Sequence, residues 1–349
     1  MRTLLAISVV FFAGRGVAAA PPALPCANTD VKCAHEARLK SPVRQKRFWS
    51  DALAKPLDQR IGVAGDELLA FLNLDNIAES YPNRPTTVQL SADFLKDVND
   101  AIAELPPLVK ALVDRKLVGI YFIRDLGGTG LTDYARGGWF SRDAGFIVLD
   151  AEVLTKQTAN VWATWKENTP FKADAAFKLE AVIENADSDN RKNAIQYILL
   201  HELGHILSIG ENIHPRWDRP PSSVEKFPFA RLSWEYSDGE KRYGSVFDQQ
   251  FPSRKNVAYY FGAKLAGASM FGTYNELLTT NFPTLYAATQ PGDDFAESFV
   301  SYVHTVIQKR PWEIRMYADG KLTKTVGSCW EEPRCAAKRK VLEEILGVK

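Results

Sequence analysis

Apolar positions recur with two different periods along this chain of 349 residues. From residue 44 to 115 the period is helical. Leu68, Leu69, Phe71, Leu72 and Leu74 mark one helix, Phe94, Leu95, Val98, Ala101 and Ile102 a second, and Leu108 to Val113 a short third. The pattern then changes to short apolar, β-branched runs, Val118 to Ile123 and Phe146 to Leu149, as expected of buried strands. Turns are expected at Gly127-Gly128-Thr129-Gly130 and at Gly137-Gly138, with further strands from Leu131 to Ala135 and from Leu179 to Ile183. The first glycine cluster has no G-x-G-x-x-G form and is read as turn chemistry. From Asn190 to Ile209, Ile195, Ile198, Leu199, Leu203, Ile206 and Leu207 fall at helical spacings. Asp187 and Ser188 offer N-caps, and Gly210 offers a stop. Residues His214 to Phe261 are rich in proline and aromatics and lack periodicity, which suggests a long functional loop walling a cleft. There, Trp217, Trp234, Tyr236, Tyr259 and Tyr260 either line a groove or pack the core, and core packing explains most of them. Helices return over Lys264 to Asn281 and Asp293 to Gln308. A hairpin turning at Asp319-Gly320 and a charged amphipathic helix, Pro333 to Leu346, close the chain. The expected class is α+β: a small mixed sheet, one long helix, then a helical subdomain.

Composition bounds the partners. The chain is 46% hydrophobic and 24% charged, ordinary for a protein with a sizeable core, and its net charge of +1 gives no footprint for nucleic acid or an anionic membrane. Arg2, the apolar run Leu4 to Ala13 and the small residues Gly16 to Ala20 predict a signal peptide over residues 1–20, with cleavage after Ala18 or Ala19. An N-terminal anchor is the competing reading, but the run is shorter than the roughly 20 apolar residues of a membrane span. Pro25 before Cys26 argues against a lipid-attachment site. Residues 21–115 are then expected to form a disulfide-tied lead-in and helical N-terminal region, and residues 116–349 the domain that carries the candidate chemistry given below. A secreted or periplasmic protein suits the four cysteines, for which the local disulfides Cys26–Cys33 and Cys329–Cys335 are preferred. Pairing the two ends is the alternative. A four-cysteine zinc site lacks the usual ligand spacing.

The chemistry centres on His201-Glu202-Leu203-Gly204-His205, an H-E-x-x-H in a chain with five histidines. Positions i and i+4 of a helix lie one above the other, so both imidazoles can reach one metal with Glu202 beside its open position. Catalytic zinc takes three protein ligands. Continuation as H-E-x-x-H-x-x-G-x-x-H fails, because Ser208 and Glu211 stand where glycine and histidine are required. His214 is instead expected in a loop near the cleft. An acid on a later helix is the better source: Thr289 can cap that helix, Pro291 enters its first turn, and Asp293, Asp294 and Glu297 are the candidate ligands. One acid can bind the metal while another accepts a hydrogen bond from a ligand imidazole. His304 on the same helix is expected to be a core histidine, and His35 a surface one.

These two segments carry a family resemblance. His201 to His205, followed by Tyr286-x-x-Thr289-Gln290-x-x-Asp293-x-Phe295-Ala296-Glu297, resembles the zinc-peptidase domain of anthrax lethal factor and its bacterial relatives, whose pattern is H-E-x-G-H and Y-x-x-T-N-x-x-E-x-F-A-E. The resemblance covers two motifs between residues 190 and 308. It implies a zincin-like metallopeptidase fold, Zn2+ held by His201, His205 and Asp293, Tyr286 assisting at the reacting oxygen, and Glu297 supporting a ligand. Asp293 stands where the pattern has glutamate and Gln290 where it has asparagine, which leaves Asp294 or Glu297 as substitutes for the third ligand.

The expected function is a secreted zinc metallopeptidase, an endopeptidase by preference, acting on a peptide or protein substrate. Glu202 is its general base and Tyr286 its oxyanion donor. The alternatives are a zinc amidase acting on cell-wall peptides and an inactive exported binding protein on the same fold.

Overall fold

A computed structural model describes residues 23–139, 141–260 and 262–348. The signal peptide expected over residues 1–20 lies outside them. The chain opens with α1 (Val31–Lys40), α2 (Ser50–Leu53), β1 (Ile61–Val63), α3 (Asp66–Ala78), α4 (Ala92–Ala103) and α5 (Pro107–Val113). It continues through β2 (Leu117–Ile123), β3 (Gly130–Ala135), β4 (Ala144–Asp150), α6 (Ala151–Thr155), α7 (Ala159–Asn168), β5 (Phe177–Val182) and α8 (Arg191–Ser208). It ends with β6 (Trp234–Ser237), β7 (Arg242–Ser245), α9 (Met270–Leu277), α10 (Pro291–Tyr302), β8 (Glu313–Ala318), β9 (Lys321–Gly327) and α11 (Ala336–Leu346). The class is α+β.

The main sheet has the order β1-β2-β4-β3, with β1, β2 and β4 parallel and β3 antiparallel at one edge. Successive residues of a strand face opposite ways, and β4 uses both faces. Ile147 and Leu149 pack with Phe94 of α4 and Leu203 of α8, whereas Phe146 and Val148 pack with Leu68, Phe71 and Leu72 of α3. This explains why β4 is an unbroken apolar run: it is buried on both faces. Residues below 116 therefore supply a strand of the sheet and a helix on each of its faces.

Some local expectations change, and the stretch from His214 to Phe261, expected as a loop without periodicity, contains the two-stranded hairpin β6-β7. The strand over Leu179 to Ile183 is present as β5 but lies in a separate antiparallel sheet, β5-β8-β9, with the C-terminal hairpin. The N-cap of α8 is Asn190, whose side chain accepts from the Asn193 amide, rather than Asp187 or Ser188. Residues Ala186–Ser188 form a 3-10 turn, and Asp189 is drawn away to Thr158 and the Asn160 amide. The stop is as expected, with Gly210 at φ +75° just past the helix. The hairpin turns at Asp319 and Gly320, both with positive φ. The two disulfides are the local pairs Cys26–Cys33 and Cys329–Cys335. Among the described residues no helix is long and apolar enough to cross a membrane.

His304 sits in the π turn Val303–Ile307 that follows α10 and is a core residue. Its Nε2 lies 2.7 Å from the Ile183 carbonyl and 3.1 Å from that of Pro311, and its ring meets Tyr197 edge-on. Burial holds its pKa down at about 4, against 6.5 for a free imidazole. A depressed basic group stabilises the fold fully above the unfolded value and loses that contribution as pH falls toward the folded one. Denaturant unfolding between pH 7 and pH 4 should therefore show a loss that shrinks by up to about 3 kcal/mol in His304→Gln. An unchanged pH slope in that variant would contradict the assignment.

Candidate metal centre

The site forms where α8 crosses α10. A Cβ on Gly204 would lie 2.9 Å from the Ala296 Cα and 3.4 Å from its Cβ, so the crossing exists only with glycine at 204 and a small residue at 296. This close approach sets Asp293 and Glu297, one turn apart on α10, against His201 and His205, one turn apart on α8.

Three donors converge: ligand atoms of His201, His205 and Asp293 lie within 4.8 Å of one another. The His205 Nε2 to Asp293 Oδ1 separation is 3.5 Å. Tetrahedral zinc with bonds of about 2.0–2.2 Å places neighbouring ligand atoms roughly 3.3 Å apart, so the donor set fits zinc in kind and spacing. The other oxygen of Asp293, Oδ2, is 2.9 Å from both the Thr289 hydroxyl and the Gln290 amide nitrogen. Thr289 thus orients this carboxylate. The N-cap position expected of it belongs to Gln290, which makes no side-chain cap bond, and Pro291 occupies the first turn as expected. Burial raises the Asp293 pKa, but the bond and charge of His205 outweigh it, and the net direction is downward.

Glu297 and Asp294 lie outside this donor set, Glu297 behind it and Asp294 turned away. Glu297 Oε1 lies 2.9 Å from His201 Nδ1 and 2.9 Å from Lys166 Nζ, and its Oε2 accepts from the Thr284 hydroxyl at 2.6 Å. The His201 N–H is close to Glu297 but not aimed squarely along a straight hydrogen bond. Burial opposes ionisation of Glu297, yet Lys166 and then His201 hold its pKa far below the carboxylate range. For His201, burial lowers the pKa and Glu297 more than restores it, for a net rise. Asp294 points the other way, into a fully buried pair with Lys338 and a 2.9 Å bond from Trp234.

Glu202 is held against the sheet's edge. Its Oε2 accepts from the Thr132 hydroxyl at 2.6 Å, and a Cβ on Gly130 would lie 2.7 Å from its Oε1. Gly130 therefore leaves room for the carboxylate, a role that the turn reading of Gly127 to Gly130 does not include. Tyr286 stacks on His201 with ring centres 5.6 Å apart and lies under Lys166 Nζ at 4.7 Å. Among the described residues its hydroxyl has no hydrogen-bond partner, and burial pushes its pKa well up, so it stays a phenol and a donor. Tyr259 and Tyr260 also pack against it.

The loop after α8 walls the site. Trp217 lies 5.4 Å from the His205 ring and 4.4 Å from that of Tyr134. His214 is buried beside it, outside the donor triad, with Nδ1 2.8 Å from the Pro215 carbonyl, and burial lowers its pKa to about 4. Trp234 and Tyr259 are core, while Trp217 and Tyr260 are half-buried at the site. His35 is exposed, against Arg38. Sequence reasoning missed Thr132, Gly130, Thr284 and Lys166. Nothing in their spacing pairs them with α8 or α10. The one available signal was the glycine at the head of a predicted strand. No family model, curated protein or solved structure matches the chain.

Gly204→Ala tests the crossing. The added Cβ must push α10 away, so metal affinity by competition with a chromogenic chelator should fall about 10-fold or more. Stability should fall by about 1–3 kcal/mol through overpacking. Unchanged affinity would show that the metal does not depend on both helices.

Proposed function

We propose that this protein is an exported, zincin-like zinc metallopeptidase. The observation that carries the proposal is the convergence of two histidines and one buried aspartate with an adjacent glutamate and a buried phenol that has no hydrogen-bond partner among the described residues. His201, His205 and Asp293 would hold the zinc, and Glu297 would fix the His201 imidazole from behind. Zinc bound there would supply Lewis acidity toward a water molecule and a peptide carbonyl. Glu202, fixed by Thr132, accepts the proton released as water attacks and delivers it to the departing amine. Tyr286 donates its hydroxyl hydrogen to the oxygen that gains charge. The peptide lies along β3, whose outer edge can pair with an extended chain. The two disulfides support an exported protein.

Glu202→Gln preserves shape and removes the base. The variant should bind about one zinc per chain, as wild type does, and lose hydrolysis by about 100-fold or more, measured on a peptide mixture by mass spectrometry. Full activity in Glu202→Gln would sink the mechanism. Loss of zinc together with activity would move Glu202 into the ligand set.

A further inference from the structure

The outer edge of β3 is short and has a stop at one end. In an antiparallel pair, successive residues direct their backbone groups alternately to the two sides. The Asp150 amide donates to the Thr129 carbonyl at 3.0 Å, so odd-numbered residues of β3 face β4. Gly130, Thr132, Tyr134 and Arg136 then face outward, toward a bound peptide. Arg136 is already taken. Its N–H donates to the Arg44 carbonyl at 2.7 Å, and its carbonyl accepts from the Lys46 N–H at 2.9 Å, a parallel bridge centred on Gln45. Residues 44–46 therefore occupy the track that a peptide would follow beyond Tyr134.

This stop is tied down. Asp218 receives Arg136 at 2.7 Å and Arg216 at 2.8 Å, with Arg44 at 3.5 Å, and its carboxylate is almost wholly buried. Trp217, next to Asp218, fills the space between Tyr134 and His205. The opposite end is open. Beyond Gly130 lies a cavity of about 500 Å³ lined by Gly127, Gly128, Glu152, Trp165 and Tyr260. The catalytic carboxylate sits at Gly130 and Thr132. At about 3.3 Å per residue, only about three substrate residues fit between that point and the stop.

We propose that the cleft is one-sided, so that the substrate is a peptide cut within about three residues of one end. Antiparallel pairing is the more stable arrangement per residue and brings the peptide's amino end to the stop. The class is then short pieces removed from the amino terminus of peptides, in place of the endopeptidase that the sequence motifs suggest. The inference rests on the peptidase reading above.

The test compares linear peptides with the same sequences closed head to tail, incubated with the zinc-loaded full chain. Cuts should fall within about three residues of the amino terminus, and the cyclic forms should resist; cuts confined to the carboxyl terminus would overturn the proposed direction. Cuts spread over interior bonds, or cyclic peptides cleaved as fast as linear ones, overturn the one-sided cleft and leave the peptidase reading standing. No cleavage of any linear peptide defeats the peptidase reading, and this inference with it. Lys46→Pro opens the stop: it removes the N–H that binds Arg136, and proline is tolerated at this first position of the 3-10 turn Lys46–Trp49. Gln45, extended at φ −111° and ψ 123°, already suits a following proline. Interior cleavage should rise about fivefold in this variant, the equivalent of one lost hydrogen bond. No rise in a variant with an unchanged melting temperature would count against the stop.

Discussion

The near-contact of Gly204 with Ala296 is the constraint on which the site depends. Helices usually pack with axes 8–10 Å apart, and the distance is set by the side chains at the crossing. With no Cβ on Gly204, α10 comes close enough for Asp293, an acid one methylene shorter than the glutamate of the resembling motif, to face His205 at 3.5 Å. The same approach puts Glu297 behind His201. The two histidines, the aspartate and the glutamate are thus consequences of one crossing. The sheet's part is to deliver β3 across the same helix, so that Thr132 meets Glu202.

Concentrating this much charge in a buried place requires compensation. Lys166, from α7, is almost fully buried between Glu297 at 2.9 Å and Glu167 at 3.3 Å. Glu167 in turn accepts from the Tyr259 and Tyr274 hydroxyls. Burial alone would neutralise the lysine, yet the two carboxylates reverse that, and its pKa is raised. A buried charge left without its partner destabilises by about 3–5 kcal/mol, so the chain Lys166, Glu297, His201 is tightly coupled. Its effect at the site is to keep Glu297 anionic, which holds the His201 ring from behind. Lys166 over the Tyr286 ring adds a cation–π contact that fixes the phenol beside the donor triad.

Much of this was legible in the sequence. The α8 pattern, the switch to strands at Val118 and Phe146, and the closing hairpin all follow from period and turn chemistry, because local physics and burial agree there. The acids of α10 were legible as a set. Which one joins the two histidines as a third donor is decided by helical phase and by what else competes for each carboxylate. Lys338 and Trp234 claim Asp294, and Lys166 and Thr284 claim Glu297. Those partners come from distant elements with no periodic signature. The sheet assignment of β5 was illegible for the same reason: its partner β8 lies more than a hundred residues later. The α8 cap is not legible because Asp187, Ser188, Asp189 and Asn190 are all competent caps: a 3-10 turn takes up Asp187 and Ser188, and Thr158 and Asn160 hold Asp189, which leaves Asn190.

The most direct measurement is anomalous X-ray diffraction at the zinc edge from crystals of the zinc-loaded protein. The account predicts one peak per chain, about 2.0–2.2 Å from a nitrogen of His201, a nitrogen of His205 and a carboxylate oxygen of Asp293, with Glu297 beyond bonding distance. A peak ligated by Glu297 in place of Asp293, or no peak between α8 and α10, would contradict it.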